Sequence, residues 1–223
     1  MNGTIYCTYF NKGYLSRGIV LLRSFAKFAS GCKIEVLCFD DETFDFLSRH
    51  DSGNVIPMSL TDFESRHPEL TAIKPTRSRG EYFFTCTSSW TLDVLRRHPE
   101  SSLIAYLDAD MKFYASPDRF LEEMRDKDII ICDHNFERGG ERQAEYGRYN
   151  VGFLAFRNNA TGLECLRMGG MPFLQRTGTT PRSSNVSRQT LRYAVRLRTT
   201  PRKTYPYIHG RRSPGNLRNT SWS

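Results

Sequence analysis

The chain lacks the sequence features of several large protein classes. No run approaches the 18 or so apolar residues that a membrane-spanning helix needs. Met1 to Tyr6 carries neither the basic patch nor the long apolar stretch of a secretory signal. The six cysteines (7, 32, 38, 86, 132 and 165) never form a C-x-x-C pair, which argues against a zinc ribbon and against a dense disulfide framework. Several lie inside apolar runs, so they read as buried free thiols of a reducing compartment, and a cytoplasmic location is expected. The G-x-G-x-x-G fingerprint and the G-x-x-x-x-G-K-[ST] loop are both missing, which disfavours a dinucleotide dehydrogenase or a P-loop enzyme.

Acid is missing from one whole region. Residues 1–164 hold 20 Lys or Arg and all 24 Asp and Glu. Residues 165–223 hold the other 12 basic residues and no acid. The net charge of +8 therefore belongs to the last quarter of a chain of 223 residues, and the rest is a mildly acidic domain. The basic stretch is rich in Gly, Pro, Ser and Thr and poor in large aliphatics, so disorder is expected over 168–223, with weak, non-specific polyanion binding. Zinc-finger spacing and RNP-type aromatic motifs are absent, which leaves a nucleic-acid-binding module as a secondary reading.

Hydrophobic periodicity in residues 1–167 alternates between strand and helix. Strands are expected at 3–10, 33–39, 55–58, 103–107, 129–132 and 151–156. Helices are expected at about 15–29, 42–49, 80–97 and 160–167, with shorter ones opened by Thr61–Glu64 capping-box spacing and by Ser116-Pro117-Asp118. This alternation implies an α/β fold with a mostly parallel or mixed sheet covered on both faces, whose ligands bind beyond the carboxyl ends of the strands.

Three polar clusters fall at those ends: Asn11–Arg17, Asp40-Asp41 and Asp108-Ala109-Asp110. Asp108 and Asp110 immediately follow the apolar run Leu103–Leu107. A turn after the strand lets both carboxylates reach one hard cation. Mg²⁺ and Mn²⁺ take such carboxylates together with phosphate oxygens. The competing reading is a turn cap beside a surface acid.

Four stretches carry a family resemblance: TIYCTYFNKGYLSRGIVLLRSF (4–25), VLCFDDET (36–43), AYLDADMKFY (105–114) and GRYNVGFLAFRN (147–158). Together they resemble nucleotide-sugar-dependent glycosyltransferases of the GT-A fold, nearest to the family 8 type. The resemblance implies a domain over 1–167 and transfer of a sugar from a nucleoside diphosphate sugar, with UDP-sugar favoured, to a saccharide, lipid-linked or protein acceptor. Nucleotidyl transfer is the alternative chemistry. It further implies Mn²⁺ or Mg²⁺ on Asp108 and Asp110. Donor contacts would come from Tyr9, Phe10, Asp40, Arg77, Arg79, Asp108, Asn150 and Gly152, and catalytic roles would fall to Asp110, Asn150 and His134. Tyr9 and Phe10 read equally well as core aromatics, Asp40 as a helix-starting acid, Asn150 as a turn residue, His134 as a surface histidine, and Arg77 and Arg79 as solvated surface.

The resemblance stops near residue 167. The tryptophan-rich helix, D-Q pair and distal histidine expected beyond the N-x-G strand do not follow in recognisable order, and Tyr207-Ile208-His209 is the only echo of that histidine. A frame change or an eroded gene end would produce such a shift in composition, and it would leave transfer impaired.

Overall fold

The computed structural model describes residues 3–50, 53–122, 127–133, 149–175 and 194–197. Among these, seven strands form one mixed sheet: β1 (Thr4–Phe10), β2 (Lys33–Cys38), β3 (Val55–Ser59), β4 (Leu103–Leu107), β5 (Ile129–Asp133), β6 (Tyr149–Arg157) and β7 (Ala194–Leu197). Their spatial order is β3-β2-β1-β4-β6-β5-β7. The first four are parallel to one another, and β6 runs antiparallel between β4 and β5. The order reverses between β1 and β4, which makes their carboxyl ends the natural binding crevice of an open α/β sheet.

Alternation along β1 explains the two cores. Tyr6 and Phe10 face a cluster with Leu21, Leu22 and Phe25 of α1 (Leu15–Phe28), Leu47 of α2 (Asp41–Arg49) and Leu121 of α6 (Asp118–Glu122). Ile5 and Cys7 face the other side. There they meet Phe63 of α3 (Leu60–Ser65), Leu70 of α4 (Pro68–Ile73), Cys86 and Trp90 of α5 (Arg79–Arg97) and Leu166 of α7 (Ala160–Gln175). Burial of side chains this size stabilises by about 1.5–3 kcal/mol each. The Trp90 indole N–H donates to the Thr8 carbonyl at 3.0 Å, tying α5 to the central strand.

The capping chemistry differs from expectation at one helix. Ser59, not Thr61, caps α3, accepting from the Asp62 N–H at 3.0 Å. The reciprocal capping box belongs to α5, where Ser78 accepts from the Glu81 N–H and the Glu81 carboxylate accepts from the Ser78 N–H at 2.9 Å. Gly31, at φ +86°, turns the chain after α1. Met111–Tyr114 belongs to no strand. Helix α7 continues past residue 167 to Gln175, and Ala194–Leu197 pairs in parallel with β5. The rest of 168–223, and with it most of the expected disorder, lies outside the described residues, as does His209.

At the amino-terminal end of the sheet, Glu35 is 1% exposed and accepts from the two terminal guanidinium nitrogens of Arg97 and from His98. Asp93 joins this network by binding Arg66 at 3.1 Å, Arg97 at 2.9 Å and His67 at 3.3 Å. All six cysteines are free. Among the described residues no helix is long and apolar enough to cross a membrane.

Candidate functional site

The apolar run of β4 delivers Asp108 to the crevice. The chain then turns, with the Met111 N–H donating to the Asp108 carbonyl at 3.2 Å. Ala109 and Met111 are buried, while Asp110 is exposed. The turn places Asp110 two residues beyond Asp108, close enough for its charge to act on the Asp108 carboxyl. Burial pushes the Asp108 carboxyl above its usual range, the Tyr106 hydroxyl bond opposes that shift, and the Asp110 charge adds to it.

Antiparallel pairing of β4 with β6 sets the opposite wall. Tyr106 faces Leu154 and Leu107 faces Phe153, and the ladder continues with the Asp108 N–H donating to the Gly152 carbonyl at 2.8 Å. The Asn150 side-chain oxygen accepts from the Gly152 N–H at 2.7 Å. A methyl group at Gly152 would lie 3.0 Å from that amide oxygen and 3.1 Å from Asp108 Oδ2. Glycine therefore lets the carboxylate, the amide and the backbone meet.

A row of aromatic rings leads into the same point. Phe83 of α5 packs against Phe39 at 4.0 Å, Phe39 meets Tyr9 edge-on at 5.2 Å, and Tyr9 lies 5.6 Å from Tyr106. The Tyr9 hydroxyl shares a 2.8 Å hydrogen bond with Thr87 of α5, and the Tyr106 hydroxyl donates to Asp108 Oδ1 at 2.8 Å. Burial pushes the Tyr9 hydroxyl pKa up to about 12, so it stays protonated at neutral pH. Sequence reasoning missed Thr87, Phe39, Phe83 and Tyr106, because aromatic and β-branched residues in strands and helices look like ordinary core.

The sequence-derived site residues separate into groups. Asp108, Asp110, Asn150, Gly152 and Tyr9 lie around the β1–β4–β6 crevice. Phe10 does not join them: its ring is 3% exposed and packed beneath Gly18, where a methyl group would sit 2.5 Å from it. That ring belongs to the core and has no face for a nucleoside. Asp40 is a cap. Its Oδ1 accepts from the Thr43 N–H at 2.9 Å and the Thr43 hydroxyl at 2.6 Å, and its Oδ2 accepts from the Lys12 N–H at 2.9 Å. Burial raises its pKa, but these bonds outweigh it and leave the group below the usual range. Asp40 therefore fixes the loop after β1 to the start of α2. Arg77 precedes α5, half-buried. Arg79 is exposed, with its guanidinium 5.5 Å from the Phe83 ring centre at the head of the aromatic row. His134 lies outside the described residues.

Among the described residues, no third His, Cys, Asp or Glu joins the two aspartates in a metal-binding group. The donor set nevertheless fits a hard cation. Asp108 is a largely buried carboxylate with no cationic partner among the described residues, a second carboxylate stands beside it, and both offer oxygen, which Mg²⁺ and Mn²⁺ prefer.

No family model matches the chain. It is 31% identical over 170 residues to the uncharacterized protein YfnF of Bacillus subtilis (strain 168), covering 72% of this chain and 55% of that one. It is 23% identical over 165 residues to YfnD of the same organism, covering 72% and 51%. The chain thus spans about half the length of the curated relatives it matches. Among solved structures, the apo form of the glycosyltransferase GlyE of Streptococcus pneumoniae TIGR4 superposes with a TM-score of 0.51 at 16% identity, over 86% of this chain and 42% of that one. The fold is GT-A-like. At that identity the likeness establishes the arrangement of sheet and helices, which agrees with the α/β class expected from the alternating pattern.

Proposed function

We propose that the chain is the donor-binding part of a metal-dependent glycosyltransferase that takes a sugar from a nucleoside diphosphate sugar, UDP-sugar in the first instance. The acceptor would be a hydroxyl on a saccharide, a lipid-linked carrier or a protein. One observation carries this reading. A largely buried carboxylate without a cationic partner among the described residues, Asp108, is held against Gly152 and Asn150 at the β1–β4 switch point of a GT-A-like sheet.

Asp108 and Asp110 would hold Mn²⁺ or Mg²⁺. When bound, such an ion neutralises a diphosphate and makes it a better leaving group. The remaining roles fall to the chain's own residues. Asn150 spends its oxygen on the Gly152 N–H, which leaves its NH₂ to donate to a sugar hydroxyl. Gly152 keeps the floor of the pocket free of side chain. Tyr9, partly exposed at the end of β1, would border the nucleoside, and Arg79 can swing a bidentate cation toward phosphate. His134 is retained as an acceptor-side group.

No acid follows Glu164. Residues 165–223 therefore supply no carboxylate to the site, and loss of one positioned group costs about 10²-fold or more in rate. Donor binding with slow donor hydrolysis is expected. Release of free sugar from a panel of UDP-sugars, with and without acceptors, tests this. Mn²⁺-dependent release that Asp110→Ala removes supports the assignment. Release that is indifferent to both Mn²⁺ and Asp110 contradicts it.

A further inference from the structure

Tyr106 lies in the apolar run of β4 and is 2% exposed. Packing alone would be served by phenylalanine, because the ring fills the core beneath α5 while a buried hydroxyl needs a partner to offset its desolvation. That partner is Asp108 Oδ1, two residues along the same strand face, at 2.8 Å. The ring itself is braced. Tyr9 packs against it at 5.6 Å and is held in turn by its bond to Thr87 and by the edge-on contact with Phe39. Asp108 Oδ2 accepts no hydrogen bond among the described residues, and it faces the side that Gly152 leaves without a methyl group.

An aspartate χ2 torsion is broad and soft, so an unrestrained carboxylate presents either oxygen over a range of directions. One hydroxyl on Oδ1 removes that freedom and presents Oδ2 to the crevice. We propose that Tyr106 is a positioning residue whose hydroxyl, braced through Tyr9 and Thr87, aims the second oxygen of Asp108 at the diphosphate-bound cation. This rests on the reading of Asp108 as a ligand of that cation. Hydrogen-bond partners behind a metal ligand typically matter by 10- to 100-fold in metal affinity.

The test uses the full chain, with UDP and Mn²⁺ as probes. Tyr106→Phe keeps the ring and deletes the hydroxyl. Calorimetric titration of UDP is run with and without Mn²⁺, and the paramagnetic resonance spectrum of bound Mn²⁺ is recorded. The expected result is about a 10-fold loss of UDP affinity in the presence of Mn²⁺, unchanged affinity without it, and an altered Mn²⁺ spectrum. Thr87→Val, which removes the brace behind Tyr9, should act in the same direction with smaller size. If circular dichroism shows that Tyr106→Phe does not fold, Thr87→Val decides: a selective loss with Mn²⁺ supports the proposal and wild-type behaviour overturns it. Tyr106→Phe with wild-type Mn²⁺ dependence and spectrum overturns it, as does equal loss in both conditions. A wild-type chain whose UDP affinity ignores Mn²⁺ overturns the functional reading before any variant is made, and the positioning role with it.

Discussion

The backbone N–H of Asp108 donates to the carbonyl of Gly152 at 2.8 Å. That bond makes the first acid of Asp108-Ala109-Asp110 and Gly152 neighbours on one ladder, although one follows the end of β4 and the other lies near the start of β6. The antiparallel insertion of β6 beside β4 creates this contact. A wholly parallel sheet would bring the start of β6 to the opposite end. The geometry of Asp108, Asn150 and Gly152 is thus a consequence of topology, and it responds to small steric changes.

Gly152→Ala tests that sensitivity. The added methyl would press on Asn150 Oδ1 at 3.0 Å and Asp108 Oδ2 at 3.1 Å, and both must yield by a few tenths of an ångström. UDP affinity in Mn²⁺ should fall several-fold while the melting temperature moves little, because the crowding is confined to the crevice. Calorimetry and thermal unfolding measure the two quantities separately. Unchanged affinity would show that the carboxylate and amide do not act together on the donor.

Glu35 provides the strongest stability prediction. It is almost fully buried and bound to Arg97 and His98. Removing one partner of a buried ion pair leaves the other uncompensated and typically costs about 3–5 kcal/mol. Glu35→Ala should fall in that range by urea unfolding. Lys12 and Glu42 form a pair at 3.1 Å with both side chains about two-thirds exposed, so Glu42→Ala should change stability by less than about 1 kcal/mol. Equal losses for the two variants would contradict the importance of burial.

His67 links stability to pH. Its hydrogen bond to Asp93 raises its pKa, burial opposes the rise, and Glu69 supports it. Because the folded pKa is raised, the stabilisation is complete below the unfolded value of about 6.5 and is lost as pH climbs through the folded value. Asp93 is pushed the other way: burial raises it, but His67 and Arg97 bring it down to about 2, so its contribution survives until strongly acidic pH. Urea unfolding between about pH 5 and 9 should show stability declining with pH in the wild type and a flatter profile in His67→Gln. Identical slopes would remove His67 from the linkage.

The alternating fold was legible in the sequence because the central strands β1, β4 and β5 are largely apolar, β-branched or aromatic runs and each long helix has a periodic face, whereas β7 (Ala194–Leu197) lies in a basic stretch that carries no such run. Leu103–Leu107 announced a buried strand, and Asp108-Ala109-Asp110 after it announced a turn with two acids. The direction of β6 was not legible, since apolar runs of parallel and antiparallel strands read alike. Phe10 and Tyr9 were indistinguishable in sequence, yet strand alternation sends Phe10 into the α1 core and Tyr9 to the α5 side. Asp40 carried the right residue type at a strand end, but its oxygens are taken up by Thr43 and Lys12. His67 and His98 showed no local signal because their acidic partners, Asp93 and Glu35, come from distant elements.

The most direct measurement is calorimetric titration of UDP into the wild-type chain and into Asp110→Ala, each with and without Mn²⁺. Tighter binding with Mn²⁺ in the wild type, abolished by Asp110→Ala while circular dichroism remains unchanged, is the expected result, since Asp110 is exposed and outside both cores. Equal UDP affinity with and without Mn²⁺ in the wild type would contradict the metal-assisted donor site on which the functional reading depends.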